Sequence, residues 1–224
     1  MEKGYKYFNL ISVFFVSILL ISNIASTKII DVIWFTFDGG TLLFPLSYIF
    51  NDILTEVYGY KKSRQAIWLG FFSALMMSFI FIIIGALPSA SGWENQDAYM
   101  KILGLTPRIV FASLIAYFCG ELLNSFILAK AKILTNGKWL WVRIVGSTIF
   151  GELIDSLIFI FIAFWGVLSV PLIFTLITCN FIFKVLFEVL FLPVTYKIID
   201  FLKKEERIDF YDRKTNFNPF KFGN

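Results

Sequence analysis

The chain has 224 residues, of which 58% are hydrophobic and 19% aromatic, and its mean hydropathy of +0.77 lies outside the range of soluble domains. It contains no histidine, which excludes a histidine-based metal site or proton relay, and its net charge is +4. Both cysteines, Cys119 and Cys179, lie in apolar segments, which argues against a disulfide framework. The composition predicts a one-domain integral membrane protein without a cofactor.

Six segments approach the roughly 20 apolar residues that a helix needs to cross the hydrocarbon core. In chain order they are residues 7–26, 41–58, 66–87, 107–129, 142–165 and 171–199. The second is the weakest, because it follows Gly39 and Gly40 and contains Pro45, which leaves a broken or re-entrant helix open. We therefore predict an all-α fold, a polytopic membrane protein with six transmembrane helices in residues 1–205.

Basic residues predict the orientation of these helices. Every second connection is basic, whereas the intervening ones balance their lysines and arginines with acids. The basic connections contain Lys3, Lys6, Lys61, Lys62, Arg64, Lys130, Lys132, Lys138, Arg143, Lys197, Lys203 and Lys204. By the positive-inside rule we expect both termini to be cytoplasmic, and we assign the charge no nucleic-acid partner. A signal peptide cleaved near "SNIAS" is the alternative, but it would leave five spans and disturb this alternation.

Acidic residues lie inside the fifth apolar segment. At 3.6 residues per turn, one half of this helix carries the polar and small residues Ser147, Thr148, Gly151, Glu152, Asp155 and Ser156. The other half carries Phe150, Leu153, Leu157 and Phe161. Counted from Arg143 at about 1.5 Å per residue, Glu152 lies roughly 14 Å and Asp155 roughly 18 Å deep. A charge at that depth is costly unless it is paired, solvated or protonated, which indicates a functional role.

Polar residues at helical spacing also occur in other segments. They are Ser22, Asn23 and Ser26 in the first, Tyr48, Asp52, Thr55 and Glu56 in the second, Tyr117, Glu121, Asn124 and Ser125 in the fourth, and Asn180, Lys184 and Glu188 in the sixth. We expect these stripes to converge on one internal cavity. Lys184 is the one basic residue near mid-membrane, so it should pair with Glu188 on its own helix or with Asp155 across the short turn between the last two helices.

An alternative is that such groups only join helices, which we favour for isolated serines and threonines. It fits Asp52, Glu121, Glu152 and Asp155 less well, because neutral amides would join helices better. Asp38, Glu94, Asp97 and the acids after Asp200 are expected to be solvated. For the C-terminal tail, residues 206–224, we expect a cytoplasmic location and favour ordered packing over disorder, because Phe217 and Phe220 would otherwise be exposed to water.

Four stretches resemble one known family. They are "FDGGTLLFPLSYIFNDILTEVYGYKKSR" (37–64), "GSTIFGELIDSLIFIFIAFWG" (146–166), "NFIFKVLFEVLFLPVTYKII" (180–199) and "NFNPF" (216–220). In order and spacing they are similar to the queuosine precursor transporters, also called vitamin uptake transporters or VUT. The resemblance implies a bacterial inner-membrane importer of six helices that takes up a 7-deazaguanine precursor of the tRNA base queuosine. It carries over Asn23, Asn51, Asp52, Glu121, Asn124, Asp155, Asn180 and Lys184 as site residues.

The chemistry of that cargo suits these side chains. One edge of a 7-deazaguanine presents an N1–H and an exocyclic amine, which Asp155 or Glu152 could accept as a bidentate pair. Asn124 and Asn180 could bind the remaining polar edge, and phenylalanines could stack on the ring. Asp52, Glu121 and Glu152 are candidates for proton coupling. The partners expected are therefore a small nucleobase substrate and the lipid bilayer, and a homo-oligomer is left open.

Other functions are weighed against the same residues. The chain has no GxxxxGK[ST] motif, so ATP-driven uptake would need a separate ATPase, with this chain as the substrate-binding subunit of a vitamin-type importer. A cation channel could use the acidic stripes, but Lys184 in the same cavity would oppose cation passage. An enzyme is not expected, since no protease signature accompanies Asp52 or Asp155 and no metal site is predicted.

Overall fold

A computed structural model of the chain describes residues 5–25, 28–32, 35–104, 107–166 and 169–220. Within these ranges the helices are α1 (Phe8–Ala25), α2 (Phe44–Tyr58), α3 (Tyr60–Ala86), α4 (Gln96–Leu103), α5 (Pro107–Leu134), α6 (Leu140–Phe164) and α7 (Val170–Glu206). Two antiparallel strands, β1 (Ile29–Val32) and β2 (Phe35–Asp38), lie between α1 and α2, with Ile29 opposite Asp38. The helical architecture is confirmed, whereas this short strand pair and α4 were not predicted.

Five of the described helices, α1, α3, α5, α6 and α7, are long and apolar enough to cross a membrane. The second predicted span is shorter than expected, because α2 has only 15 residues. At 1.5 Å per residue it is about 22 Å long, less than the roughly 30 Å of a hydrocarbon core. Twelve of its residues are buried, and it packs against α1, α3, α5 and α7. It is therefore an interior helix, surrounded by the longer ones.

Large apolar side chains cover the outside of the bundle, most clearly on α3 and α7. Phe72, Met76 and Phe79 on α3 are exposed, as are Leu186 and Leu190 on α7. Such an apolar surface on helices long enough to span a bilayer is typical of helices that face lipid. The chain is therefore a multi-pass membrane protein, and we expect its polar stripes to face the interior of the bundle.

Glycines allow two close approaches that position the interior. At Gly59, between α2 and α3, φ is +86° and ψ is 167°, a conformation that favours glycine, and a side chain there would meet the ring of Phe210. Gly120 on α5 and Gly151 on α6 face each other, because a Cβ on either residue would meet the backbone carbonyl of the other. The Tyr48 side chain lies against both glycines, so α2, α5 and α6 meet at this point.

One end of the bundle, here called the basic end, collects the start of α1, the end of α2, the end of α5, the start of α6 and the end of α7. The rings of Tyr5 and Tyr58 lie 5.1 Å apart, and Lys62 lies 5.5 Å from the Tyr5 ring. Glu206 at the end of α7 accepts the backbone N–H of Tyr7 at 2.7 Å. The described residues of the basic connections therefore share one end, as the charge pattern requires.

The C-terminal tail packs against the start of α3, which confirms the expected ordered packing as far as residue 220. Tyr60 donates its hydroxyl to the carbonyl of Phe217 at 3.2 Å, and the Trp68 indole donates to the carbonyl of Pro219 at 2.9 Å. Arg64 donates to the carbonyls of Asn216 and Asn218. Phe220 nevertheless remains 64% exposed.

The expectation that the acids after Asp200 are solvated is wrong for Asp212, which is buried, and only partly right for Glu206, whereas Glu94, Asp97, Glu205 and Asp209 are exposed as expected. The side chain of Asp38 lies outside the described residues. Glu206 caps α1, Asp209 pairs with Lys132 at 2.6 Å, and Asp212 accepts the backbone N–H of Tyr60 at 3.0 Å. The cause is the fold of the tail, which brings these carboxylates back to unpaired donors at the basic end.

Asp212 provides a test of tail docking. Burial raises the pKa of the Asp212 carboxyl above its ordinary value. Docking should therefore be strongest with the acid protonated and should weaken as the pH rises through the raised pKa. Asp212→Asn keeps an acceptor for Tyr60 and removes the charge. We expect trypsin to cleave its tail at Arg213 and Lys214 severalfold more slowly than the wild-type tail at about pH 8, and we expect the difference to shrink as the pH falls through the raised pKa.

Asp209→Asn is the matched control, and its expected effect on cleavage of the tail has the opposite sign. Burial opposes ionisation of Asp209, but hydrogen bonds from Lys132 and Lys203 outweigh it and hold the pKa of the carboxyl below its ordinary value. Docking by Asp209 is therefore lost only as the pH falls through this depressed pKa. The Asp209→Asn variant should be cleaved faster than wild type at about pH 8 and at every pH above the depressed pKa. Equal cleavage of both variants would contradict the assignment.

Candidate functional site

The polar half of α6 is buried as predicted. Ser147, Glu152 and Ser156 have no exposed surface, and Asp155 is 4% exposed. On the opposite half, Phe150 is 55% exposed. The helix thus presents its acids to the protein interior and its phenylalanines outward.

Lys184 on α7 lies between the two acids of α6. Its Nζ is 2.5 Å from Asp155 Oδ2 and 2.9 Å from Glu152 Oε2, so the expected pair with Asp155 is present and Glu152 is added to it. The other candidate partner, Glu188, accepts instead the hydroxyl of Thr148. We call Glu152, Asp155 and Lys184 the central triad, and its net charge is −1. The Lys184 ammonium also lies 4.7 Å from the centre of the Phe44 ring.

A second polar group joins α2, α5 and α7 beside the triad. Asn124 donates to Asp52 Oδ1 at 2.6 Å, and Ser47 donates to Glu121 Oε1 at 3.2 Å. Asp52 and Glu188 are within hydrogen-bonding reach of each other. Asp52, Glu121, Asn124, Glu152, Asp155 and Lys184 from the predicted site set are therefore gathered in one buried region.

The other two predicted residues lie at its margin or away from it. Asn180 is one helical turn from Lys184, and its Oδ1 is buried without a hydrogen-bond donor. Asn23 on α1 donates to the carbonyl of Leu19 and accepts from Ser113 at 3.4 Å. Ser113 precedes Glu121 by eight residues, or about 12 Å along α5. Asn51, carried over from the family, accepts from Ser63 and Ser125 and so joins α2 to α3 and α5.

Several buried acceptor atoms in this region lack a hydrogen-bond donor within the described part of the chain. They are Tyr48 OH, Asp52 Oδ2, Glu121 Oε2, Asn124 Oδ1, Glu152 Oε1 and Glu188 Oε2. A buried polar group without a partner costs about 1 to 3 kcal/mol, so native proteins leave few of them. These atoms, with the exception of the tyrosine hydroxyl, can only accept while the carboxylates are ionised. The region therefore suits a ligand rich in N–H donors.

Sequence reasoning missed Phe44 and Ser47 as members of this region. It included Thr148 and Glu188 in the converging polar stripes but did not name them as site residues. Phe44 precedes Tyr48 by one turn, so its face could be inferred from spacing, but one phenylalanine among 28 carries no signal of its own. Glu188 was recognised in the stripe of α7 but considered only as a partner for Lys184. Its contact with Asp52 depends on where α2 ends, which periodicity does not determine.

An ionic cluster lies at the basic end, and we define it as Glu56, Lys132, Arg143, Lys203 and Asp209. Glu56 is buried at the end of α2, with Lys203 at 2.7 Å and Lys132 at 3.4 Å from its Oε1. Arg143 on α6 makes a two-armed contact with the same carboxylate. Asp209 from the tail bridges the two lysines. One carboxylate thus holds α2, α5, α6 and α7 together.

Comparisons with known proteins identify the family of the chain. Residues 38–198 match the family described as "Putative vitamin uptake transporter". A "Probable queuosine precursor transporter" of Bacillus subtilis (strain 168) is 27% identical over 187 residues, which cover 83% of this chain and 82% of that protein. The "Queuosine precursor transporter" of Escherichia coli (strain K12) is 26% identical over 163 residues, covering 73% and 71%.

A third relative, a "Probable queuosine precursor transporter" of Haemophilus influenzae (strain ATCC 51907 / DSM 11121 / KW20 / Rd), is 29% identical over 126 residues, covering 56% of this chain and 51% of that protein. No solved structure matches the chain. The family match covers more than half of the sequence, and the relatives are named as transporters. The chain therefore belongs to the vitamin uptake transporter family, a family of membrane transporters and not of enzymes.

Proposed function

We propose that the protein imports 7-deazaguanine precursors of queuosine across a bacterial inner membrane. The single observation that carries this proposal is that two buried acceptor atoms between α5 and α6, Glu152 Oε1 and Asn124 Oδ1, have no donor within the described part of the chain. The names of the relatives supply the substrate class, and the buried acceptors supply a reason for the binding. An amidine-like base edge offers the N–H donors that these atoms lack.

Glu152 is the carboxylate we assign to the N1–H and exocyclic amine. Its Oε1 has no hydrogen bond and its Oε2 has only the ionic contact with Lys184, whereas Asp155 accepts a 2.5 Å hydrogen bond from Lys184. Glu152 is therefore the more available of the two acids considered from sequence. Asp155 then holds the ammonium of Lys184 in place and limits its competition for Glu152. Asn124, with a free Oδ1, extends the acceptor edge towards α5.

Phe44 is the stacking partner we assign to the flat base. Its ring lies against Lys184, which in turn contacts Glu152, so a base paired with Glu152 would lie beside this ring. Tyr48 and Tyr117 lie next to Phe44, at centroid distances of 6.2 and 6.4 Å. An aromatic stack contributes about 1 to 3 kcal/mol per base in single-strand binding sites.

Alternating access around this site is the mechanism we propose. The ionic cluster and the docked tail both lie at the basic end, and their contacts support a state in which this end is closed. By the positive-inside rule the basic end lies in the cytoplasm. We propose that both termini are then cytoplasmic and that α2 also crosses the membrane, which gives six passes together with the five longer helices. The state described here is then one closed to the cytoplasm, and release of the base requires the ionic cluster to separate.

Binding of purified protein to 7-cyano-7-deazaguanine, its aminomethyl analogue and queuine tests the proposal. Glu152→Gln keeps the shape of the side chain but replaces one acceptor oxygen by a donor amide. A charged hydrogen bond contributes about 1.5 to 3 kcal/mol, so we expect affinity to fall roughly tenfold to a hundredfold. The measurement is equilibrium binding in detergent, followed by uptake into proteoliposomes that contain this chain alone.

Glu94→Gln is the matched control, because it makes the same chemical change at an exposed residue. It should bind as the wild-type protein does. Wild-type affinity in a folded Glu152→Gln variant would remove Glu152 from the site. Binding without uptake by the chain alone would favour the alternative of a subunit that depends on a separate ATPase.

A further inference from the structure

Asp52 on α2 and Glu188 on α7 form a second pair of acids, separate from Glu152, Asn124 and Phe44, the residues assigned to the base. Neither has appreciable exposed surface, and their carboxyl groups are within hydrogen-bonding reach. Asp52 Oδ1 accepts from Asn124, and Glu188 accepts through Oε1 from Thr148. The remaining oxygens, Asp52 Oδ2 and Glu188 Oε2, have no donor among the described residues.

Two ionised carboxylates cannot remain in such contact without a partner. Like charges at short range repel strongly where water is excluded, and neither oxygen can donate to the other. One proton removes both problems, because a carboxylic acid donates to the neighbouring carboxylate and gives each side chain a hydrogen-bond partner. The geometry therefore indicates a proton held between the two side chains.

No cation faces this pair in the described part of the chain. The titratable groups directed towards it from the packed helices are Tyr48 and Glu56 on α2, Glu121 on α5 and Glu152 on α6. Lys184 is occupied by Asp155 and Glu152, and the cations of the basic end by Glu56 and Asp209. The surroundings of the pair are thus acidic. They favour the form in which Asp52 and Glu188 share one proton over the form in which both are ionised.

We propose that Asp52 and Glu188 are the proton-coupling site of this transporter, so that one proton enters with each base. The proposal rests on the import function above. From the outward side the ionised pair takes one proton, forming one O–H bond, and α2 can pack on α7. When the basic end opens, water reaches the pair, the O–H bond breaks and the proton leaves to water. Repulsion between the two carboxylates then separates α2 from α7 until a new proton arrives.

This assignment refines the three acids considered from sequence. Glu152 is held by Lys184 and is assigned to the base. Glu121 accepts from Ser47, and among the described residues it has no hydrogen bond with another acid. Asp52 alone pairs with a second acid, and that acid is on another helix. A proton between helices can control their separation, whereas a proton on a single acid cannot.

Proteoliposomes containing the full chain separate coupling from transport. Uptake of 7-cyano-7-deazaguanine, which is uncharged, is measured in two ways: as counterflow without a gradient, and as net uptake with about pH 6 outside and about pH 7.5 inside under a clamped potential. One proton per base could sustain about thirtyfold accumulation across that gradient. In the wild-type protein we expect the pH gradient to stimulate uptake above the counterflow level. In Glu188→Gln we expect no such stimulation, so that the ratio of gradient-driven uptake to counterflow is near one.

Glu205→Gln, on the exposed end of α7, is the control and should keep the wild-type ratio. A wild type that shows counterflow but no stimulation by the pH gradient, or stimulation only by a sodium gradient, overturns the proton inference and leaves the import function standing. Full stimulation in Glu188→Gln overturns the site. Absence of counterflow for every base overturns both proposals.

A second measurement applies if Glu188→Gln does not reach the membrane. Asp52→Asn is then compared with wild type by calorimetry of base binding in buffers of different ionisation enthalpy, which counts the protons taken up with the base. We expect a proton linkage that differs from the wild-type linkage. An unchanged linkage overturns the assignment of the proton to this pair.

Discussion

Replacement of Lys184 by methionine is expected to destabilise the protein more than any other single change in the central triad. Lys184 is the cation shared by Glu152 and Asp155, both of which are buried, and its removal changes the net charge of the triad from −1 to −2. Removing one partner of a buried ion pair costs about 3 to 5 kcal/mol, because the remaining charge is neither solvated nor paired. Thermal unfolding in detergent should shift down by roughly 6 to 20 °C.

Two further variants show whether charge is the cause. Lys184→Arg keeps the charge and should lose much less stability. The double variant Lys184→Met with Asp155→Asn leaves one buried carboxylate instead of two, so it should unfold at a higher temperature than Lys184→Met alone. If the double variant gains nothing, the two acids are already neutral in the folded protein and the triad is not ionic.

Helical periodicity was sufficient to predict the interior of this site because its constraints act along single helices. A polar residue that shares a face with Glu152 must point inward when the opposite face carries Phe150. The short turn between α6 and α7 then brings Lys184 opposite Asp155, and the pair is observed at 2.5 Å. For this part of the chain, local pattern and short connection together determine the contact.

Contacts between distant segments could not be predicted in the same way. Glu206 caps α1, although 199 residues separate it from Tyr7, and Asp212 meets the Tyr60 amide across 152 residues. Both acids follow the last apolar run, where exposure is the ordinary expectation. Which donor the tail reaches depends on the relative positions of all helix ends at the basic end, and no periodicity encodes these.

The second predicted span shows a different limit. Its apolar and polar residues are arranged correctly, and Tyr48, Asp52 and Glu56 do share the interior face. Its length was overestimated because Thr41 and Leu42 belong to a turn of 3-10 helix and not to α2. A helix enclosed by protein does not need to match the bilayer thickness. The ends of such a helix therefore cannot be predicted from the length that a membrane span requires.

Replacement of Glu56 by glutamine is the second change with a large expected effect. Glu56 is the one carboxylate that contacts Lys132, Arg143 and Lys203, and without its charge the three cations are left with Asp209 alone. The net charge of the ionic cluster rises from +1 to +2 in a region where Glu56 and Lys132 have almost no exposed surface. We expect a loss of about 3 to 5 kcal/mol in unfolding free energy.

Glu205→Gln is again the matched comparison, since Glu205 makes one ion pair with Lys6 at 3.5 Å while remaining 46% exposed. A surface pair of this kind contributes about 0 to 1 kcal/mol. The two glutamine variants therefore compare a buried carboxylate that has three cationic partners with an exposed one that has a single partner. Lys203, the most exposed of the three cations, offers compensation: Glu56→Gln with Lys203→Gln should recover part of the lost stability, because it returns the cluster to its original net charge. A Glu56→Gln variant that unfolds at the same temperature as Glu205→Gln would show that the cluster does not hold the basic end closed.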